Sequence, residues 1–214
     1  MNSDITGFLI IGIASYLFGS IPWAFIIGRI KGIDIRQHGS GNTGATNVMR
    51  VLGRKWGILC FALDCLKGLL PVIAVKILIS QEVLAASPEA FVITAGLAVV
   101  AGHIWSVFLK FKGGKGMATA GGVLIGIAPY SFICIILIWI VVFYSTRYVS
   151  AASIIAAVAL PFSSFIFSKT GIWPLSVPFQ IFLLALSVIT IAKHHSNIRR
   201  LINGTENKFE KKKG

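Results

Sequence analysis

Six long apolar blocks dominate this sequence, at about residues 5–28, 57–80, 89–110, 117–146, 148–168 and 172–192. Several are longer than the ~18 apolar residues that a helix needs in order to cross a lipid bilayer. Hydrophobic residues make up 56% of the chain and charged residues only 13%, which is far from the composition of a soluble domain. The sequence therefore predicts an all-α polytopic membrane protein.

The formal net charge of +13 comes from lysines and arginines that lie mostly between the apolar blocks and at the C-terminus. Cytoplasmic loops carry an excess of these residues, so we place segment 29–55, the lysines of 110–115 and the C-terminal tail in the cytoplasm. The connection 80–89 has two glutamates and no cation, which places it outside. This distribution favours anionic lipid, and not nucleic acid, as the partner of the positive charge.

The fourth apolar block, about 30 residues long, exceeds one comfortable span of ~20 residues. A single span here would also put the seven cations of the C-terminal tail outside, against the charge rule. A break near Pro129 removes both problems, because proline suits the first turn of a helix. We therefore predict seven transmembrane helices, including one short helix at about 117–128, with the N-terminus outside and the C-terminus cytoplasmic.

Residues 1–203 are predicted to form a single integral-membrane domain, since no long linker or clear repeat interrupts them. The first basic residue is Arg29, so the N-terminal apolar block lacks the basic start of a cleaved signal peptide and should remain as the first span. Residues 204–214 are polar and lysine-rich, and we expect them to form a frayed cytoplasmic tail.

A first polar cluster occupies residues 39–47 and is followed by Arg50. Its glycines can expose backbone N–H groups, its Ser, Asn and Thr side chains are short hydrogen-bonding groups, and Arg50 can hold a phosphate with two parallel hydrogen bonds. The alternative interpretation is a Gly/Asn-rich turn that caps a helix. The cluster is the first candidate phosphate site.

A second cluster is the Gly-Lys loop, residues 110–116, which contains three lysines and three glycines directly before an apolar run. Glycine turns and the unpaired N–H groups at a helix start together bind phosphate. The loop does not have the spacing of a nucleotide-binding P-loop, so ATP hydrolysis is not implied. The alternatives are a basic turn that anchors two helices at anionic headgroups and, for the nearby His103, a simple packing role.

A third cluster, residues 193–201, follows the last apolar block. His194 and Asn197 are three residues apart and share a face if the helix continues, so they could hold a hydroxyl and a polarised oxygen together. The alternative is ordinary basic sequence next to a membrane span. Inside the second block, Asp64 and Lys67 are one turn apart. Charges inside a membrane are costly and often mark a functional site, but a pair at this spacing can neutralise itself, and we favour this structural interpretation.

The sequence shows no Ser-His-Asp arrangement, no paired carboxylates and no metal-ligand cluster, and it has only seven acidic residues. Catalysis would therefore depend on positioning and positive charge acting on an already activated substrate, without a cofactor or a metal. Two other classes of protein stay open on the residues alone. One is an organic-phosphate transporter, which needs polar groups near the bilayer midplane, and the other is a lipid-binding scaffold without catalysis.

Three groups of residues resemble the motifs of the bacterial acyl-phosphate:glycerol-3-phosphate acyltransferases, in order and spacing, from about residue 5 to 205. They are Ser40-Gly41-Asn42-Thr43-Gly44-Ala45-Thr46-Asn47, then Gly102-His103 with Phe111-Lys112-Gly113-Gly114-Lys115-Gly116, then His194 with Asn197-Ile198-Arg199-Arg200-Leu201. The chain departs from the family pattern at Ser106, where proline is expected, and at His195, where arginine is frequent.

The resemblance implies a seven-helix enzyme of the bacterial inner membrane whose active site faces the cytoplasm. Such an enzyme moves an acyl chain from acyl phosphate to the 1-hydroxyl of glycerol 3-phosphate, giving lysophosphatidic acid and phosphate in phospholipid biosynthesis. The catalytic residues that the resemblance implies are Ser40, Arg50, Lys115, His194 and Asn197. The residues implied to bind substrate or phosphate are Gly41, Asn42, Thr46, Asn47, His103, Lys112, Gly113, Gly114 and Gly116.

Overall fold

The computed structural model describes residues 2–84 and 87–209, and these contain helices and no strand. Two short 3-10 turns lie at Ile35–Gln37 and Val107–Leu109. The α-helices are α1 (Asn2–Gly19), α2 (Trp23–Ile30), α3 (Ala45–Leu52), α4 (Arg54–Ser80), α5 (Pro88–Ile104), α6 (Met117–Ile127), α7 (Pro129–Thr146), α8 (Val149–Lys169), α9 (Val177–Lys193) and α10 (His195–Ile202).

The predicted all-helical, multi-pass character is confirmed. Five stretches of the described chain are long and apolar enough to cross a membrane, and α9 with α10 makes a sixth if this pair, bent by 55°, is one span. The five are Ile5–Ile30, Arg54–Ser80, Pro88–Leu109, Pro129–Thr146 and Val149–Lys169. All six correspond to apolar blocks recognised in the sequence.

The predicted break in the fourth block lies at Ala128, between α6 and α7. Proline has no N–H group and its fixed φ suits the first helical position, so Pro129 begins α7 and cannot continue α6. The 11 residues of α6 rise only ~16 Å, about half the hydrocarbon thickness of a bilayer. Thus α6 is too short to cross a membrane alone, as its sequence predicts.

The chain divides into two compact units, Met1–Ile127 and Ala128–Gly214. In the first unit α1 packs on α5, and α4 packs on α6 and on α3. Glycines let these helices approach backbone to backbone, as membrane helices often do. A Cβ atom on Gly122 would collide with the carbonyl oxygen of Cys65, and one on Gly68 would collide with that of Thr119.

The second unit packs α7 on α8 and α8 on α9, and α10 contacts both α8 and α9. Small polar side chains join neighbouring helices here. The Ser187 hydroxyl donates to the carbonyl oxygen of Ala157, and the Trp139 indole donates to the Ser153 hydroxyl over 3.2 Å. Such bonds satisfy polar groups that the surrounding apolar side chains cannot.

The tail differs from the prediction over its described part. We expected fraying from residue 204, but Glu206 is only 9% exposed and the backbone N–H of Phe209 donates to the carbonyl oxygen of Arg147 over 2.9 Å. The Phe209 ring also meets the Phe143 ring edge-on, with 5.9 Å between centroids. Polar composition misled the prediction, because one buried acidic residue and one aromatic residue hold this segment. Residues 210–214 lie outside the described residues.

Candidate active site

Asn47 organises the first polar cluster. It lies in the first turns of α3 and is 1% exposed. Its side-chain oxygen accepts a hydrogen bond from the Ser40 N–H over 2.8 Å, and its NH2 group donates to the carbonyl oxygens of Ile35 at 3.1 Å and His38 at 3.0 Å. Both amide hydrogens are therefore used within the loop. The structure makes Asn47 the group that closes the loop, which its motif position alone did not reveal.

The turn around Ser40 needs the glycines that the sequence supplies. Gly39 and Gly41 have φ angles of +61° and +69°, a region that side chains rarely adopt. A Cβ on Gly39 would also collide with the Asn47 side-chain oxygen. As a result the exposed Ser40 side chain stands between two fixed glycines, while Arg50 lies half-buried in the last turn of α3.

Asp34 fixes the start of this loop. Its carboxylate accepts from the backbone N–H of Arg36 and from the Arg36 guanidinium at 2.6 and 2.9 Å, and Arg29 approaches it at 3.3 Å. The hydrogen bond from the Arg36 side chain, against the opposing effect of burial, holds the pKa of Asp34 well below its usual range. Arg29 and Arg36, two of the cations of segment 29–55, are thereby paired with the same carboxylate.

The Gly-Lys loop folds back onto the end of α5. The Gly113 N–H donates to the carbonyl oxygen of Ile104 and the Gly114 N–H to that of His103, each over 3.1 Å. Gly116 has φ +83° and leads directly into α6, so the first N–H groups of that helix lie beside the loop. Lys115 is half-buried between Gly114 and Gly116, whereas Lys112 is exposed.

The first two clusters meet in the unit Met1–Ile127. A Cβ on Gly114 would lie 2.9 Å from the carbonyl oxygen of Thr43, so the Gly-Lys loop packs directly on the first loop. Beneath this contact is a small pocket with room for about one water molecule. It is lined by Ser20, Ile21, Pro22, Trp23, Thr43, Asp64, Lys67, His103, Ser106, Leu109 and Gly114.

The pocket is polar. The hydroxyls of Ser20 and Thr43 and the indole N–H of Trp23 are buried in it, with no hydrogen-bond partner among the described residues. Buried groups of this kind normally bind water or a polar ligand, because leaving them unpaired costs about 1–3 kcal/mol each. The juncture of the two loops therefore suits a hydrated, polar occupant.

The predicted Asp64–Lys67 pair is confirmed. Both residues are 2% exposed, and the Lys67 ammonium lies 2.8 Å from the Asp64 carboxylate. The same ammonium donates to the carbonyl oxygen of Ile21, between α1 and α2, over 2.8 Å. His103 is buried too, with its Nδ1 atom 3.5 Å from the Asp64 carboxylate. His103 is thus not an isolated packing residue, because it borders a buried ion pair.

The third cluster lies in the unit Ala128–Gly214. The helix does not continue through it: α9 ends and α10 begins around His194, with a bend of 55°. His194 is buried, and its Nδ1–H donates to the carbonyl oxygen of Thr190 over 2.8 Å, which fixes the orientation of the imidazole. Asn197 is buried in α10. The two residues therefore lie on either side of a bend, and not on one continuous helix.

Glu206 is a residue that sequence reasoning missed. Its carboxylate accepts hydrogen bonds from Asn197 at 2.8 Å, from Ser150 at 2.9 Å and from Arg200 at 2.7 Å. Burial alone raises the pKa of Glu206, but these three donors outweigh it and lower the pKa below its usual value. A lone glutamate in a lysine-rich tail gave no sequence signal of this role.

Comparisons with known proteins agree with the motifs. The chain matches the family profile described as glycerol-3-phosphate acyltransferase over residues 9–204. Proteins of that name from Geotalea daltonii and Geobacter sulfurreducens are 47% and 45% identical to it, over 99% and 94% of this chain and 100% and 97% of theirs.

Two crystal structures of PlsY, an integral membrane glycerol 3-phosphate acyltransferase, also resemble this fold at 40% identity. One is the glycerol 3-phosphate form, with a TM-score of 0.82 over 95% of this chain and 96% of that one. The other is the lysophosphatidic acid form, with a TM-score of 0.80 over 95% of each chain. With the three motifs in place on a helical membrane fold, the chain belongs to the glycerol-3-phosphate acyltransferase family.

Proposed function

We propose that this protein transfers an acyl group from acyl phosphate to the 1-hydroxyl of glycerol 3-phosphate, giving lysophosphatidic acid and phosphate. The observation that carries this proposal is the packing of the Gly-Lys loop on the first loop at Gly114 and Thr43, in a chain of this enzyme family. Two groups suited to phosphate thereby lie next to each other, and the reaction has two phosphate-bearing substrates.

In this reaction the hydroxyl oxygen of glycerol 3-phosphate attacks the carbonyl carbon of acyl phosphate. The bond from that carbon to the phosphate oxygen breaks, and phosphate leaves with the electron pair. A substrate phosphate accepts the proton of the hydroxyl. Because acyl phosphate is a mixed anhydride, its carbonyl needs little further activation. The protein mainly orients the substrates and stabilises the charge on the departing phosphate.

Ser40, Arg50 and Lys115 hold phosphate in this proposal, and His194 and Asn197 complete the reaction centre. Lys115 and the N–H groups of the Gly-Lys loop stabilise the departing phosphate. The bond from His194 Nδ1–H to the Thr190 carbonyl oxygen supports the proposed part of His194, since it fixes the imidazole. Further phosphate contacts come from Gly41, Asn42, Thr46, Lys112, Gly113, Gly114 and Gly116, with Asn47 and His103 acting through the shape of the two loops.

We further propose seven spans, with the N-terminus outside and the C-terminus in the cytoplasm of a bacterial inner membrane. Residues 1–203 form the membrane domain and 204–214 its cytoplasmic tail. The cations of segment 29–55, of the Gly-Lys loop and of the tail support this orientation. The phosphates are held at the cytoplasmic surface, and the acyl chain lies between helices.

The test is an acylation assay on the purified protein in detergent, with glycerol 3-phosphate and either acyl phosphate or acyl-CoA. We expect lysophosphatidic acid and phosphate to form in equal amounts from acyl phosphate, and no product from acyl-CoA. Product formation from acyl-CoA contradicts the proposed donor. Uptake of glycerol 3-phosphate into sealed vesicles, without acylation in detergent, indicates a transporter instead.

A further inference from the structure

Asp64 sits where three parts of the unit Met1–Ile127 come together. The Lys67 ammonium lies 2.8 Å from its carboxylate, and the Cys60 thiol donates to it over 3.7 Å. The His103 Nδ1 atom lies 3.5 Å from the same carboxylate, longer than a normal hydrogen bond, and has no hydrogen-bond partner among the described residues. Asp64 is 2% exposed, so these contacts have little competition from water. Lys67 connects Asp64 to the segment between α1 and α2, because its ammonium donates to the carbonyl oxygen of Ile21.

His103 lies between Asp64 and the Gly-Lys loop and contacts both. Its backbone carbonyl oxygen accepts the N–H of Gly114. Its imidazole also packs directly against Gly114, because a Cβ on that glycine would collide with Nε2. A shift or rotation of the imidazole would therefore displace Gly114, and with it the adjacent Lys115.

We propose that Asp64 is a positioning residue for acyl transfer: its carboxylate faces the otherwise unpartnered Nδ1 atom of His103, orients the imidazole by attracting Nδ1–H and so fixes the Gly-Lys loop. This inference rests on the proposed function, and it does not require Asp64 to contact a substrate. A buried pair such as Asp64–Lys67 is seldom needed for stability alone, since apolar residues of similar size often replace such pairs at little cost.

Two double variants separate this role from simple packing. Asp64→Leu/Lys67→Met removes both charges and the acceptor for Nδ1–H while it keeps the volume. Asp64→Asn/Lys67→Met also removes both charges, but its amide oxygen can still accept from Nδ1–H. Lys76→Met is the matched control, since Lys76 is on the same helix and bonds to the carbonyl oxygen of Gly126, away from the loop.

The measurement is kcat and KM in detergent, with glycerol 3-phosphate and acyl phosphate varied in turn, on protein whose thermal unfolding shows that it is folded. The leucine variant should raise the KM of at least one of these phosphate substrates about tenfold or more, with a smaller change in kcat. The asparagine variant and Lys76→Met should stay within about threefold of wild type. The substrate whose KM rises is the one that the loop holds.

Three results decide the matter. Wild-type kinetics in the folded leucine variant overturn the inference, and so does equal loss in both double variants, since the charge and not the orientation then matters. An inactive wild type with either donor contradicts the proposed function instead.

Should the leucine variant not fold, 15N NMR of histidine-labelled wild type, with His103→Ala for assignment, gives an independent answer. Nδ1 of His103 should carry a proton, and an imidazole protonated only at Nε2 overturns the inference.

Discussion

In the unit Met1–Ile127 the candidate phosphate groups lie on and beside two loops whose shape is set by glycine turns and by the Asn47 amide. In the unit Ala128–Gly214 the corresponding cluster is made of side chains, held by one buried carboxylate, Glu206. The first arrangement depends on the absence of Cβ atoms, and the second depends on the presence of a particular acceptor. The two units should therefore fail in different ways when they are mutated.

The largest effect is expected from Lys115→Ala in the first unit. Removing a cation that stabilises developing charge typically costs about 10²–10³-fold in kcat. The fold should be unchanged, because Lys115 is only half-buried and the loop keeps its glycines. Steady-state kinetics and thermal unfolding test this, with Lys110→Ala as a control that removes a loop lysine outside the proposed site. Near-normal turnover of Lys115→Ala contradicts its assigned role.

Glu206→Ala should be the most damaging change in the second unit. It leaves the buried Asn197 amide and the Ser150 hydroxyl without their acceptor, and we expect a loss of about 2–4 kcal/mol in the free energy of unfolding. Activity should fall about tenfold or more with the loss of Asn197 positioning. Glu206→Gln retains one acceptor oxygen and should lose less stability and less activity than Glu206→Ala. Equal stability of Glu206→Ala and wild type would mean that this network is not structural.

Gly114→Ala tests the dependence of the first unit on missing Cβ atoms. The new methyl group would collide with the His103 imidazole and approach the Thr43 carbonyl oxygen, so the loop must shift. We expect the KM of a phosphate substrate to rise about tenfold. Gly12→Ala is the control, because its Cβ would lie 3.6 Å from the Thr94 methyl group, an ordinary contact. Similar kinetics for the two variants would show that the loop tolerates displacement.

Acid should destabilise the second unit through Glu206. Since the folded-state pKa of Glu206 lies below its ordinary value of 4.5, its contribution to stability is fully present above that pH and is lost as the pH falls through the folded-state pKa. Unfolding midpoints measured from neutral pH down to about pH 3 should show a fall that is smaller in Glu206→Gln, which cannot titrate. A parallel fall in both proteins assigns the acid sensitivity to other carboxylates.

The smallest effect is expected from Ser106→Pro, which restores the residue that the family pattern favours. The Ser106 hydroxyl donates to the carbonyl oxygen of Ser20 over 2.6 Å, a bond worth about 1 kcal/mol. Proline fits the Ser106 φ of −61° and restricts the unfolded chain, which offsets about 0.4–1 kcal/mol. Thermal unfolding should therefore change little, and a loss of activity would show that the bond matters to the site.

The span positions, the break at Pro129 and the Asp64–Lys67 pair were all predictable, because each rests on local rules of length, proline geometry and charge neutralisation. The burial of Glu206 and its contact with Asn197 were not, since they depend on how a tail packs onto α8 and α10. The role of Asn47 was not predictable either. Its motif position indicated a substrate-binding residue, but in the structure both of its amide hydrogens are bonded to the loop.

In the short helix α6, a protein side chain compensates the partial charge at one end. A helix carries about half a positive charge at its start and half a negative charge at its end. In α6 the start adjoins the Gly-Lys loop, while near the end the Lys76 ammonium donates to the carbonyl oxygen of Gly126 over 2.5 Å. That cation compensates the negative pole at the far end. Because the field of a helix pole falls off within about one turn, each end of α6 must be neutralised locally, the far end by Lys76 and the near end by an anion at the Gly-Lys loop.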